Sequence, residues 1–392
     1  MRVLHFGDAH FEKDKIDKCR ASANFIVDQA TELKPDLIVN AGDTFNRLQS
    51  LNDKSAISLA KSFIMRLADV APVVIIKGNE SHDARGCLEV FTALDTKHPV
   101  YVTEGCETVG FFNVDGHRWF DSIAGDATDC NLVLHLFSYP EKAWFLRDKP
   151  NASIDESNLL IQTAIKQIFT GFGAISMDSK CPVILVGHGN ISGSKLCSGQ
   201  ELVSQDIMLS KHDLALARAD VQCWGHIHEC QEFMPHGWYS GSTFHNNWGE
   251  VTPRFVLLHE VNREACVTTK IQIPSRALAL IETAIADGPA LELLERRVDL
   301  AEIADAAVRI RVHGTKERQL TLTDDQVEGF FPGAFSYQIE RITTPTERTR
   351  SAEITKAKTL TEKVVEWGAV TNQEIKPDVL TLAGDVERSV TL

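Results

Sequence analysis

Val3-Leu4-His5-Phe6-Gly7-Asp8-Ala9-His10 opens the chain: a short buried-strand candidate, a glycine, then side chains able to hold a metal. The form recurs. Leu37-Ile38-Val39 runs on to Gly42-Asp43, Val73–Ile76 to Gly78-Asn79, Val183–Val186 to Gly187-His188, and Val221–Trp224 to Gly225-His226-Ile227-His228. Short apolar runs bounded by turn signals are the pattern of buried strands. Between them, residues 16–33 carry Ile16, Cys19, Ala23, Ile26, Val27, Ala30 and Leu33 at helical spacing, and residues 54–69 form a second helical pattern. Strand, helix, strand, helix, strand predicts βαβ units in a layered α/β sandwich.

In open α/β sheets the ligand site lies beyond the carboxyl ends of the strands. Five strand ends therefore bring Asp8, His10, Asp43, Asn79, His188, His226 and His228 to one locus. A single Gly-Asp or Gly-His pair is ordinary turn chemistry; five together carry the reading. Carboxylate and amide oxygens mixed with imidazoles suit manganese, iron or zinc rather than calcium or magnesium alone. Seven ligands exceed one tetrahedral ion. With Asp43 shared they form two four-ligand sets, the arrangement of a two-metal hydrolase with ions roughly 3.5–4 Å apart.

This five-part pattern resembles the calcineurin-like metallophosphoesterase superfamily, whose motifs cover about residues 1–230. The resemblance implies a four-layer α/β/β/α sandwich. It also implies one metal on Asp8, His10, Asp43 and His228, and the other on Asp43, Asn79, His188 and His226. A hydroxide between the ions would attack phosphorus in line. A narrower resemblance rests on Gln231, Trp238-Tyr239-Ser240-Gly241-Ser242-Thr243 and Asn247-Trp248-Gly249-Glu250. That order is similar to SbcD-type DNA repair exonucleases and endonucleases. It implies DNA as substrate, an SbcC-type SMC-like ATPase as partner, and a homodimer of the nuclease subunit within a heterotetramer.

One departure concerns the third motif. The family has Asn followed directly by a His that protonates the leaving oxygen, whereas this chain reads Gly78-Asn79-Glu80-Ser81-His82-Asp83. Either Asn79 keeps the ligand place and His82 reaches back from a loop two residues longer, or Ser81 stands where the amide belongs. The first register is preferred, because Gly78-Asn79 stays in step with Val73–Ile76. In both registers His82 is the acid candidate.

The remaining chain divides by composition. Residues 99–138 look β-rich, with turn signals at Asp115-Gly116 and Gly125-Asp126; 156–169 look helical; several short strands run from Phe233 to Ile273. After Pro274, the Ala-, Leu- and Glu-rich stretch 278–308 looks helical, and Val308–Val312 and Ser336–Ile342 look like strands. The domains expected are therefore a nuclease domain at 1–273, a small α+β capping domain at 274–343, and a C-terminal segment at 344–392. That segment has a linker around Pro345. Its helix at 352–367 carries a stripe of Ile354, Ala357, Leu360, Val364 and Trp367, a candidate surface for the ATPase.

Composition narrows the function classes. Lys+Arg number 40 against Asp+Glu 54, so no general basic bias draws the chain to nucleic acid or lipid, and a DNA site must be a local groove. Two divalent ions, manganese foremost, are the expected cofactors. No apolar run reaches membrane-spanning length and no signal peptide is read at the start, so a cytoplasmic location is expected. The nine cysteines are odd in number and lack Cys-x-x-Cys spacing, which argues against a disulfide framework or a zinc knuckle. His5, His98, His117, His135, His212, His236, His259 and His313 lack the strand-end context and are read as core or surface; Cys223 and Cys230 are read as packing residues. His245 is a candidate for the substrate groove. The rival readings are a calcineurin-like phosphoesterase for a small nucleotide or phosphoprotein, and a metal-poor scaffold that only binds.

Overall fold

The computed structural model describes all residues except 48–51, 124–129, 198–206, 286–289, 297–302, 344–353, 355 and 391–392. In chain order its strands are β1 (Arg2–Phe6), β2 (Leu37–Asn40), β3 (Val73–Ile76), β4 (Val100–Thr103), β5 (Cys106–Val114), β6 (His117–Ser122), β7 (Leu132–Phe137), β8 (Val183–His188), β9 (Asn190–Ile191), β10 (Met208–Leu209), β11 (Val221–Gly225), β12 (Gln231–Met234), β13 (Gly237–Tyr239), β14 (Arg254–Val261), β15 (Cys266–Ile273), β16 (Leu278–Ile285), β17 (Leu291–Arg296), β18 (Ala307–Gly314) and β19 (Ser336–Thr343).

Two large sheets stack face to face. One has the order β15-β14-β1-β2-β3-β4, the other β12-β13-β11-β8-β7-β5-β6. The alternation of β1 decides what each face meets. Leu4 and Phe6 pack on Ile26 and Ala30 of helix Ile16–Leu33 and Phe63 and Leu67 of helix Lys54–Ala68. Val3 faces the other way and joins Val39, Val74, Leu134, Val186 and Val221 between the sheets. On the far side, Phe137, Leu185 and Trp224 meet Ile161, Ile165 and Phe169 of helix Ile154–Asp178. Helix, sheet, sheet, helix is the four-layer α/β/β/α order expected. Each fully buried Val, Leu, Ile or Phe contributes about 1.5–3 kcal/mol, so the three apolar layers hold the strand ends in fixed relation.

The third sheet, β17-β16-β18-β19, has its own core of Ile281, Val308, Ile310 and Val312 against Leu322, Val327 and Phe331. Here the expected helix at 278–308 is wrong: β16 and β17 are an antiparallel pair, and β16 also pairs in parallel with β18. Ala, Leu and Glu favour a helix only weakly, and pairing on both edges overrides that preference. Asp287-Gly288-Pro289 was also a break that no continuous helix tolerates.

The C-terminal expectation is corrected as well. Ile354 and Lys356 are helical as expected, but residues 357–359 are not, and the longer helix spans Leu360–Thr371 rather than continuing from 352 to 367. Thr359 caps it through a reciprocal box with Glu362, which fixes the start there. A further helix, Pro377–Val390, packs against it. The turn at Gly125-Asp126 and the linker around Pro345 lie outside the described residues. Among these residues no helix is long and apolar enough to cross a membrane.

Candidate metal centre

All seven strand-end residues meet at one end of the two sheets. Four residues in three of the turns are strained to make this possible: Asp8, His10, Asp43 and His226 all have positive φ, at 51°, 44°, 52° and 100°. Such backbone in non-glycine residues costs about 1–3 kcal/mol each and gathers at functional sites. Two glycines allow the closest approach. A Cβ at Gly78 would lie 2.1 Å from Asp43 Oδ1, and one at Gly225 would lie 2.2 Å from the Ala41 carbonyl oxygen.

Two donor sets form there. In the first, one ligand atom each from Asp8, His10 and His228 lie within 4.8 Å of one another; in the second, Asp43, His188 and His226 do the same. His10 Nε2 and His228 Nε2 are 3.0 Å apart, and His10 Nε2 is 4.0 Å from Asp43 Oδ2. His188 Nε2 is 3.4 Å from Asp43 Oδ1, so Asp43 reaches both sets with its two oxygens. Asn79 Oδ1 lies 2.9 Å from His188 Nε2 and 3.0 Å from His226 Nδ1, whereas Ser81 is exposed. The amide of Asn79 thus stands at the second set and the Ser81 hydroxyl does not.

Backbone and buried partners aim these groups. His188 Nδ1 donates to the Ala41 carbonyl at 2.6 Å, and His228 Nδ1 donates to Glu250 Oε1 at 2.7 Å. Both rings therefore present Nε2 to the centre, the arrangement by which outer partners orient metal-binding histidines. Asp8 accepts from the His226 backbone N–H at 2.9 Å, and Asp43 from that of Asn79 at 2.7 Å. The buried Asp83 carboxylate accepts from the N–H groups of Thr44, Phe45 and Gly78, tying the second motif to the third. Sequence reasoning did not assign Glu250 or Asp83 a role. Glu250 lay in a quoted motif, but its reach back to His228 is a tertiary fact.

The charges are unevenly held. Burial raises Asp8 to about 6, although His188 and His228 oppose the shift. Burial also pushes Asp43 up, but His82, His188 and His10 outweigh it and hold the carboxyl well below its usual range. His188 rises to about 9: burial lowers it, and Asp43 more than reverses that. His226 falls to about 3 through burial and the neighbouring His188. A buried cluster of two carboxylates and several imidazoles, with its nitrogens converging, fits divalent cations of the manganese, iron and zinc type.

His82 sits beside this centre. Its Nδ1 donates to the Asn46 carbonyl, its ring centre lies 4.8 Å from that of His10 in an edge-to-face arrangement, and Nε2 is 3.9 Å from Asp43 Oδ2. It also forms a third possible donor set with His10 and Asp43. A cavity of about 560 Å³, which none of the seven candidate ligands lines, is bounded by Lys15, Lys18, His245, Trp248, Arg276 and Phe335, among others. The loop between β13 and β14 joins the two: Thr243 N–H donates to the Asp8 carbonyl, and Glu250 holds His228. His245, expected at a groove, does line this cavity, with Nε2 donating to the Thr252 carbonyl at 3.0 Å.

A family model described as calcineurin-like phosphoesterase matches residues 1–230, and the chain belongs to that family. It is accordingly a phosphoester hydrolase of a class that uses divalent metal ions. Among solved structures it is similar to a dimetal phosphatase from Danio rerio, with 10% identity, 70% of this chain and 98% of that chain covered, and a TM-score of 0.43. A second solved structure is 11% identical, covers 70% of this chain and 99% of its own, and has a TM-score of 0.37. No curated protein matches the chain.

Proposed function

We propose that the chain is a metal-dependent DNA phosphodiesterase, an SbcD-type nuclease subunit, with Asp8, His10, Asp43 and His228 holding one ion and Asp43, Asn79, His188 and His226 the other. The observation that carries the hydrolytic part is the single Asp43 carboxylate reaching both donor sets, at 3.4 Å from His188 Nε2 and 4.0 Å from His10 Nε2. Manganese is the ion of choice for this mixture of hard oxygens and imidazoles. When bound, such a pair supplies Lewis acidity toward water and the phosphoryl oxygens. His82 supplies the proton to the leaving oxygen. The Asn46 carbonyl holds Nδ1–H, so the ring can present a second N–H from Nε2 on the Asp43 side.

DNA is favoured over a small substrate by the neighbouring cavity. Lys15, Lys18 and Arg276 line it beside Trp248 and Phe335; Lys15 pairs with Glu12 and Arg276 with Asp305, and the Arg276 guanidinium lies 3.5 Å from the Phe335 ring centre. Cations that follow a phosphate backbone, interleaved with aromatic faces on which bases stack, suit a single nucleic-acid strand. The Trp238–Glu250 motif order supports the same reading. We further propose an SMC-like ATPase partner, bound through the C-terminal helices, and a homodimer of this chain. Val365, Trp367, Val370, Val379, Leu382 and Val386 of those helices are exposed. The test is cleavage of linear duplex and single-stranded DNA with added Mn²⁺, set against nucleotide and phosphopeptide substrates. Hydrolysis of the small substrates alone would replace the DNA reading.

A further inference from the structure

The layer between the large sheets is mainly apolar but holds a buried group of metal-binding side chains. His5 on β1 and His259 on β14 point into it from one sheet, and Cys223 on β11 faces them from the other; none of the three is exposed at all. His5 Nδ1 and His259 Nε2 are 3.2 Å apart, and one ligand atom from each of the three residues lies within 4.8 Å of the others. Ligands of a tetrahedral zinc ion at about 2.0–2.1 Å for nitrogen stand roughly 3.3 Å apart. The observed spacing is close to that edge.

The hydrogen bonding points the same way. Thr268 Oγ1 lies 2.9 Å from His259 Nδ1, which suits a ring that turns an unprotonated Nε2 inward. His5 Nδ1 and His259 Nε2 are within hydrogen-bond distance of each other, a contact that an ion between the rings would replace, and His5 Nε2 is buried without a partner. Burial holds both imidazoles neutral: His5 is lowered well below its usual value and His259 to about 3. Burial also raises the Cys223 thiol strongly, so its ionisation needs a cation. Cys266 packs against the same layer and is linked through Thr268 to His259, outside the three-residue set.

We propose that His5, His259 and Cys223 form a second metal site, separate from the phosphoesterase centre, which takes a thiolate-binding ion of the zinc class and clamps the two sheets together. Binding would release the Cys223 proton to solvent and form one metal–sulfur and two metal–nitrogen bonds.

Co²⁺ titration of the full chain tests this, because only a cysteine-bound ion gives a sulfur-to-cobalt charge-transfer band and the phosphoesterase centre holds no cysteine. The band is expected in the wild type, displaced by Zn²⁺ and absent in Cys223→Ser. It should persist in Asp43→Asn. A wild type with no band overturns the proposal, and so does a band that survives Cys223→Ser. Should Cys223→Ser fail to fold, X-ray absorption of the zinc-loaded wild type decides. Sulfur at about 2.3 Å supports the site, and a shell of nitrogen and oxygen alone rejects it.

Discussion

Glu250 Oε1 accepts a 2.7 Å hydrogen bond from His228 Nδ1, while Arg254 Nη1 and Ser242 Oγ approach its other oxygen at 3.4 and 3.1 Å. The carboxylate is buried, and its pKa lies below the usual value because His228 and Arg254 outweigh the effect of burial. It fixes His228 with Nε2 turned to the centre. Loss of such an outer partner typically lowers metal affinity about 10–100-fold. Glu250→Gln should therefore weaken Mn²⁺ binding by calorimetry within that range, with much of the turnover recovered at saturating Mn²⁺. Unchanged affinity would remove Glu250 from the metal assembly.

His82 has two possible roles, since it lies within reach of both the leaving-group side and a donor set with His10 and Asp43. As a general acid it contributes about 10²–10⁴-fold. His82→Ala should lose that factor while keeping the wild-type metal content. A nitrophenyl phosphodiester, whose leaving group needs little protonation, should partly rescue the variant. Loss of an ion would make His82 a ligand instead.

Gly78 tests the geometry without removing a donor atom. A methyl group there must displace Asp43, whose Oδ1 would be 2.1 Å and backbone N 2.2 Å away. Misplacement by about 1 Å can cost 10²-fold in rate. Gly78→Ala is expected to fold, by circular dichroism, and to lose at least that much activity. Wild-type turnover in this variant would mean that the position of Asp43 is not critical.

Much of this centre is legible in the sequence, because each ligand follows directly on a buried apolar run and the glycine before it marks the turn. Asp8, Asp43 and His188 are placed by strand ends alone. The outer partners are not legible: Glu250 reaches His228 across a loop, and Asp83 acts through backbone N–H groups that any residue supplies. β16 was misread for a different reason. Its Leu278–Ile285 sequence lacks strong strand formers at several positions, and its parallel partner β18 lies 29 positions away (Ala307 less Leu278). The helix stripe expected at 352–367 is cut by the cap at Thr359, whose signal in the sequence is the pair Thr359 and Glu362.

His135 gives a pH prediction away from the centre. Its Nδ1 lies 2.9 Å from Thr108 Oγ1 and Nε2 2.9 Å from Ser176 Oγ, and burial lowers it to about 3. The unfolded chain binds this proton near pH 6.5 and the folded chain does not. Its stabilising contribution is therefore complete above about 6.5 and is lost progressively as pH falls toward 3. The slope is about 1.4 kcal/mol per pH unit. In chelator, wild-type unfolding free energy should fall from pH 5.5 to 4.5 more steeply than that of His135→Phe, by about that amount. Equal slopes would show that His135 is protonated in the folded state.

Trp367 is 45% exposed on helix Leu360–Thr371. As an anchor for an ATPase partner, its loss should weaken the complex strongly, since buried aromatics dominate many interfaces. Trp367→Ala should leave the melting temperature of the isolated chain unchanged and raise the dissociation constant at least tenfold. An unchanged dissociation constant sinks the docking role.

Metal content and DNA cleavage measured on the same Mn²⁺-loaded preparations, wild type beside Asp43→Asn, bear most directly on the central claim. The wild type should hold two ions per chain and cut end-labelled linear DNA, and the folded Asp43→Asn should lose both an ion and the cleavage. A folded Asp43→Asn that cuts DNA as the wild type does would contradict an Asp43-bridged pair of ions, and a fully loaded wild type that leaves DNA intact would contradict the nuclease reading.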